Sequence, residues 1–167
     1  QAMTYADLSG DAFQRMIKHA THTDALHQAG RRAEAETRFR EAEQMQAEHQ
    51  PDYPLLYSVQ GFRYCDLLLA APERAAQTLK IAEANHWLLD IALDHLTLGR
   101  ATLYATILEN SKPETRNSEI EQAVAGLRRA GTTHWIPAAL LTRAWLRFLT
   151  GSRMDSTGSP QAGPESA

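Results

Sequence analysis

The chain has 167 residues, of which 43% are hydrophobic and 22% are charged, and its formal net charge is −3. This length and composition suit one compact domain or a short array of helix pairs, and they argue against disorder. The small net charge provides no basic footprint for nucleic acid or for an anionic membrane. No apolar run approaches the roughly 20 residues that span a bilayer. We therefore expect neither nucleic acid nor a membrane as a partner.

The single cysteine, Cys65, excludes an intramolecular disulfide and a cysteine zinc cluster, which favours a cytoplasmic location. The N-terminal residues Gln1, Ala2 and Met3 lack the charged and apolar segments of a signal peptide. They also do not resemble a natural start, so the sequence suggests a fragment of a longer protein.

Helix-forming residues dominate and valine is nearly absent, which predicts an all-α fold. A lead-in over residues 1–10 precedes about seven predicted helices. Pro54, Pro72 and Pro137 suit the first turns of helices, and Gly131 suits a helix C-terminus. Residues 151–167 are rich in Ser, Gly and Pro, so we expect a disordered tail. The helices are predicted at about residues 11–29, 32–49, 54–70, 72–85, 87–109, 117–130 and 133–150.

The second, fourth and sixth predicted helices share a stripe of a small, a bulky and a small residue. The spacing of i, i+4 and i+7 places each stripe on one helix face, where small residues allow a second helix to approach closely. The stripes are Ala35-Phe39-Ala42, Ala75-Leu79-Ala82 and Ala123-Leu127-Ala130.

These stripes resemble the second helix of the tetratricopeptide repeat, whose unit has about 34 residues. The first helices add matches at Leu26 and Gly30, at Tyr57, Gly61 and Tyr64, and at Leu98 and Gly99. The sequence departs from the family at Thr23, Gln60 and Thr102, which stand where the family prefers Gly, Leu and Tyr. The resemblance covers residues 11–150, with units at about 11–50, 53–85 and 86–131 and a half unit at 134–150.

The resemblance implies an α-solenoid of antiparallel helix pairs that acts as a non-catalytic scaffold for a protein or peptide partner. It also implies that Gly61 lies where two helices touch. The long helices resemble divergent repeats of bacterial signal-transduction ATPases, so a sensor or regulatory domain of such a protein is an alternative. A plain helical bundle is the alternative fold.

The first helix of each tetratricopeptide unit lines a concave groove, and the family's groove positions can be carried over to this sequence. They predict a partner-binding groove that mixes apolar groups with charges of both signs. The predicted groove residues are Asp24, His27, Gln28, Phe62, Cys65, Asp66, Arg100, Leu103 and Tyr104.

Two clusters suggest other chemistry. His19, His22 and His27 lie close together in the first predicted helix, which keeps a small metal-dependent enzyme as a further alternative. No zinc-hydrolase signature, phosphate loop or nucleophile elbow accompanies them, so we predict no catalytic residue, metal or cofactor. The second cluster is basic and comprises Arg128, Arg129, Arg143 and Arg147. It either binds an acidic peptide or an anion, or forms an ordinary solvated face.

The last predicted helix has a broad apolar face, and the polar tail that follows lacks the apolar residues to cover it. Solenoids need a polar terminal cap. We therefore expect truncation of a longer solenoid, a native partner on this face, or homodimerisation through it. The residues of this face include Leu140, Leu141, Ala144, Trp145, Phe148 and Leu149.

Overall fold

The computed structural model describes residues 2–69, 71–111 and 117–150, and within these ranges it is all-helical, with no strand. The all-α prediction is confirmed. A 3-10 turn at Thr133–Trp135 leads directly into the last helix. The helices are α1 (Ala2–Ser9), α2 (Ala12–Gln28), α3 (Arg32–His49), α4 (Ser58–Leu67), α5 (Pro72–Ala84), α6 (Leu88–Leu108), α7 (Ser118–Arg129) and α8 (Ile136–Thr150).

Some helix boundaries follow from capping or first-turn residues visible in the sequence. Pro72 occupies the first turn of α5, where no backbone N–H is needed. Asp11 caps α2 by accepting a hydrogen bond from the backbone N–H of Gln14. Gly131 follows α7 with a φ of +69°, a left-handed conformation that glycine adopts without strain. The predicted C-terminal role of Gly131 is therefore confirmed.

The described residues contain eight α-helices where about seven were predicted, because residues 2–9 of the expected lead-in form α1. This short helix is connected to α2 through the carboxylate of Asp7. Asp7 Oδ1 accepts a hydrogen bond from Arg15 Nε at 3.2 Å and lies 3.3 Å from His19 Nε2. The predicted tail, residues 151–167, lies outside the described residues.

The predicted start of the third helix at Pro54 was wrong, because α4 begins at Ser58. Residues 50–57 are held in place by neighbouring helices instead. Leu56 is 1% exposed, and its backbone N–H donates to Glu43 Oε1 on α3 at 3.0 Å. Arg74 on α5 forms an ion pair with the same carboxylate, so α3 and α5 together fix this segment. The predicted helix end at Ala70 lies outside the described residues.

The small–bulky–small stripes lie in the core to different degrees. The stripe of α3 is fully buried, and Phe39 stacks on Tyr64 of α4 with ring centroids 4.8 Å apart. Leu79 of α5 is only half-buried, since Thr78 takes the buried position beside it. Ala130 lies just after the end of α7 and is half-buried, and Gly126 of α7 makes the close approach to α6.

Three glycines lie where a side chain would collide with neighbouring atoms. A Cβ at Gly99 of α6 would lie 2.6 Å from Ile120 Cγ1 of α7, and one at Gly126 would lie 2.8 Å from Ala92 Cβ. The expectation that Gly61 lies between two helices was wrong. Its nearest neighbour is the backbone carbonyl of Leu56, in the segment that leads into its own helix.

The helices pack mainly against their neighbours in the chain. Every pair of consecutive α-helices is in contact, and so are the alternate pairs α2–α4, α4–α6 and α6–α8. Within the described ranges, no two α-helices more than two apart in the chain pack against each other. None of the described helices combines the length and the apolar character that crossing a membrane requires.

Candidate functional site

The four alternating helices α2, α4, α6 and α8 are connected side by side through their side chains, and we call their shared surface the alternate-helix face. The first connection joins α2 to α4. Arg63 Nε lies 3.2 Å from Asp24 Oδ2, and the two side chains are 27% and 20% exposed. A partly exposed ion pair of this kind contributes little to stability, but it fixes two charged groups in position.

Arg100 of α6 is the central residue of the alternate-helix face. Its Nη1 donates to Asp66 Oδ1 of α4 at 2.9 Å, and its Nε donates to Thr142 Oγ1 of α8 at 3.2 Å. Its guanidinium also lies over the ring of Phe62, 5.3 Å from the centroid, in the geometry of a cation–π contact. One arginine side chain therefore joins three helices.

Tyr104 of α6 and Trp145 of α8 continue the face toward the C-terminal ends of their helices. Their ring centroids lie 5.7 Å apart. Tyr104 is half-buried, whereas Trp145 is 41% exposed. This aromatic pair lies one helical turn after Arg100 along α6.

Three predicted groove residues are core residues in the structure. Phe62 is 7% exposed and packs edge-on against Trp135, Leu103 is 1% exposed, and Cys65 is 5% exposed. Burial raises the pKa of the Cys65 thiol to about 11, against the opposing influence of Arg74. The thiol is therefore protonated at neutral pH, which does not suit a reactive nucleophile.

The structure brings together only some of the predicted groove residues. Phe62, Asp66 and Arg100 are in mutual contact through the guanidinium group. Gln28 is exposed at the end of α2, and His27 beside it is half-buried. The Nδ1 atom of His27 is buried without a hydrogen-bond partner among the described residues.

Sequence reasoning missed three residues that complete this face. Arg63 and Thr142 pair with the predicted residues Asp24 and Arg100, and Trp135 packs on Phe62. The position of Arg63 could have been predicted from the sequence, since Arg63 lies one helical turn before Asp66 and so shares its face. The roles of Trp135 and Thr142 could not have been predicted, because their partners are more than 40 residues away in the sequence.

Part of the histidine cluster and part of the arginine cluster lie close to carboxylates in the described residues. His19 approaches Asp7, and His22 is exposed. No group of three His, Cys, Asp or Glu side chains in the described ranges lies close enough to share a metal ion. In the basic cluster, Arg143 Nη1 lies 3.1 Å and Arg147 Nη2 3.9 Å from carboxylate oxygens of Glu121. These two arginines are thus partly neutralised by α7.

The predicted self-association residues are exposed on α8. Leu141 is 71% exposed, Trp145 41% and Leu149 38%, and Phe148 between them is 82% exposed. Exposed large apolar residues are common singly, but four on one helix form an unusual concentration.

The sequence matches no protein-family model. No curated protein and no solved structure shows significant similarity to it. The tetratricopeptide resemblance consequently stays a prediction that depends on the motif residues themselves.

Proposed function

We propose that this chain is a non-catalytic helical-repeat scaffold of the tetratricopeptide kind, which binds a peptide or helix of a partner protein on the alternate-helix face. The observation that carries the proposal is the series of contacts from Asp24 and Arg63 through Asp66, Arg100 and Thr142. This series makes one continuous surface from helices that are not consecutive in the chain. A cytoplasmic location belongs to the proposal, supported by the free thiol of Cys65.

The packing pattern of the helices supports the repeat arrangement. In a solenoid, each unit contacts only its neighbours, so contacts stay local along the chain. The described helices follow this rule, because they pack against helices one or two positions away. A plain four-helix bundle would instead bring the first and last helices of the bundle together.

The chemistry of the alternate-helix face supports the binding role. Aromatic and arginine side chains are enriched among the residues that dominate binding energy at protein interfaces. On this face Tyr104 contacts Trp145, and Arg100 lies one helical turn before Tyr104 on α6. The Asp66 side chain is 41% exposed and accepts from Arg100, so it holds the guanidinium without shielding the face from a partner. A helix or an extended segment is the kind of partner that binds a surface of mixed apolar and polar groups.

The test compares two double variants for binding of a peptide selected from a display library against the purified chain. Tyr104→Ala with Trp145→Ala removes the aromatic pair of the alternate-helix face. Gln122→Ala with Arg129→Ala, at exposed positions of α7, is the control. We expect the first variant to bind at least about tenfold more weakly and the control to bind like the wild type. Unchanged binding by the first variant, with the melting temperature preserved, would refute the proposal.

We also propose that the exposed apolar residues of α8 allow two copies of the chain to associate. Leu141 and Phe148 project furthest into solvent, at 71% and 82% exposure. Light scattering should show a mass that rises with concentration for the wild type and a constant monomer mass for Leu141→Glu with Phe148→Glu. A wild-type chain that stays monomeric over the whole concentration range would rule this association out.

A further inference from the structure

A cavity of about 470 Å³ opens between α2, α4 and α6, near the N-terminal ends of the three helices. Its volume lies within the range of about 300–1,000 Å³ that is typical of small-molecule sites. It is separate from the contacts that define the alternate-helix face, because none of its lining residues takes part in them.

The walls of the cavity are largely apolar and aromatic. Phe13 of α2, Tyr57 and Trp87 line it together with Leu88. Tyr57 and Trp87 stack with ring centroids 5.3 Å apart, and Tyr53 lies against both rings, so the aromatic wall is held in one arrangement. Phe13 and Leu88 are 37% and 48% exposed, which leaves apolar surface free for a ligand.

One carboxylate, that of Asp90 in the first turn of α6, lines the same cavity. Asp90 is only 8% exposed, and it has no Lys, Arg or His ion-pair partner in the described part of the chain. A buried carboxylate is normally paired with a cation, and none of the residues that line this cavity is basic.

Burial raises the pKa of Asp90, and a hydrogen bond with Ser58 opposes that rise. A cationic ligand would offset the effect of burial, because a nearby positive charge favours the ionised carboxylate. The aromatic rings would add a favourable surface for the same ligand, because ring faces attract cations.

We propose that this cavity binds an alkylammonium group, with the nitrogen at the Asp90 carboxylate and the carbon chain against Phe13, Trp87 and Leu88. This site is independent of the partner-binding proposal. The group belongs either to a free amine or to the side chain of a lysine in another protein, and the recognition chemistry is the same for both.

The test titrates the chain with phenethylammonium chloride and follows the indole N–H resonance of Trp87 by NMR. We expect saturation with a Kd of about 1–10 mM or tighter, as is typical of a ligand of this size. The neutral analogue 2-phenylethanol, which keeps the ring and loses the charge, should bind at least about tenfold more weakly. Equal binding of the two compounds would overturn the proposal, and this comparison needs only the wild-type chain.

Two matched variants locate the charge that the ligand recognises. Asp90→Asn should weaken binding of phenethylammonium at least about tenfold. Glu109→Gln, at the exposed C-terminal end of the same helix and outside the cavity lining, should leave it unchanged. If both variants bind phenethylammonium like the wild type, Asp90 is not the recognition group and the assignment is wrong.

A further titration distinguishes the two sources of the ammonium group. Nα-acetyl-lysine N-methylamide carries the same charge on a peptide-like backbone. Binding as tight as that of phenethylammonium supports an alkylammonium site that accepts a protein side chain, whereas binding of phenethylammonium alone supports a free amine. Failure of both compounds to shift the Trp87 resonance contradicts the proposal.

Discussion

Asp94 of α6 has a carboxyl group whose pKa burial raises to about 7, with the nearby charge of Asp90 adding to the rise. A hydrogen bond from Thr78 Oγ1 at 2.8 Å acts in the opposite direction. The folded state therefore holds a proton on Asp94 that the unfolded chain releases near the ordinary pKa of 3.8. This difference favours folding at low pH and is lost as the pH rises through about 7.

Asp94→Asn should remove this pH dependence, because the amide is neutral and can still accept from Thr78. At pH 8 we expect the variant to be more stable than the wild type by on the order of 2 kcal/mol. At pH 4 the gain should be much smaller, since the carboxyl is then protonated in the folded state. Urea unfolding at the two pH values measures the increase in the free energy of unfolding at each pH. Equal increases would show that burial of the Asp94 charge does not cause the stabilisation.

Gly61 tests the packing of the segment that precedes α4. Replacing a glycine inside a helix by alanine normally stabilises a protein by about 0.5–1 kcal/mol. Here the added Cβ would meet the backbone carbonyl of Leu56, which cannot move without shifting residues 50–57. We expect Gly61→Ala to destabilise by about 1–3 kcal/mol. A thermal melt shows whether Gly61→Ala stabilises or destabilises the chain. The control Gln77→Ala, at an exposed position of α5, should change stability by less than about 0.5 kcal/mol.

At the scale of elements, Asn117 joins α6 to α7 through both ends of its amide. Its Oδ1 accepts from the backbone N–H groups of Glu119 and Ile120, which caps α7. Its Nδ2 donates to the carbonyl of Gly99 in α6 at 3.0 Å. The cap therefore also fixes where α7 begins relative to α6.

Asn117→Ala should destabilise the chain by about 1–3 kcal/mol, because it removes the cap and leaves buried backbone groups without partners. Asn117→Ser keeps a capping oxygen and loses the bond to Gly99, so it should fall between alanine and the wild type. Chemical unfolding of the three proteins gives this order. A serine variant as unstable as the alanine variant would mean that the contact to α6, and not the cap, dominates.

The sequence predicts those elements whose limits depend on local chemistry. Pro72 begins α5 and Gly131 ends the turn after α7, since each residue restricts or permits backbone angles by itself. The start of α4 could not be predicted in this way. Pro54 is an equally good first-turn residue, but contacts of Leu56 with Glu43 hold residues 50–57 in a non-helical path. The helix α1 was missed because it lacks a strong apolar stripe of its own.

The sequence predicted only part of the alternate-helix face, because contacts between distant parts of the chain decide which side chains are covered. The motif positions place Asp66, Arg100 and Tyr104 on a shared surface, because the spacing within a helix determines which side chains lie on one side. The sequence does not show how deep each side chain lies. Phe62 occupies an equivalent position but is covered by Trp135, which comes from a part of the chain far away in sequence.

At the scale of the whole molecule, the alternate-helix face and the cavity at Asp90 lie on the same set of helices but use different residues. The two proposals therefore fail independently. Loss of phenethylammonium binding in Asp90→Asn does not test partner binding. Loss of peptide binding in the Tyr104 and Trp145 variant does not test ligand binding in the cavity.

The most direct test of the partner-binding proposal is a hydrogen-exchange or NMR footprint of the selected peptide on the wild-type chain. We predict that the affected residues lie on α2, α4, α6 and α8, with the largest changes at Arg63, Asp66, Arg100, Tyr104 and Trp145. A footprint restricted to the outer surfaces of α3, α5 and α7 would contradict the account.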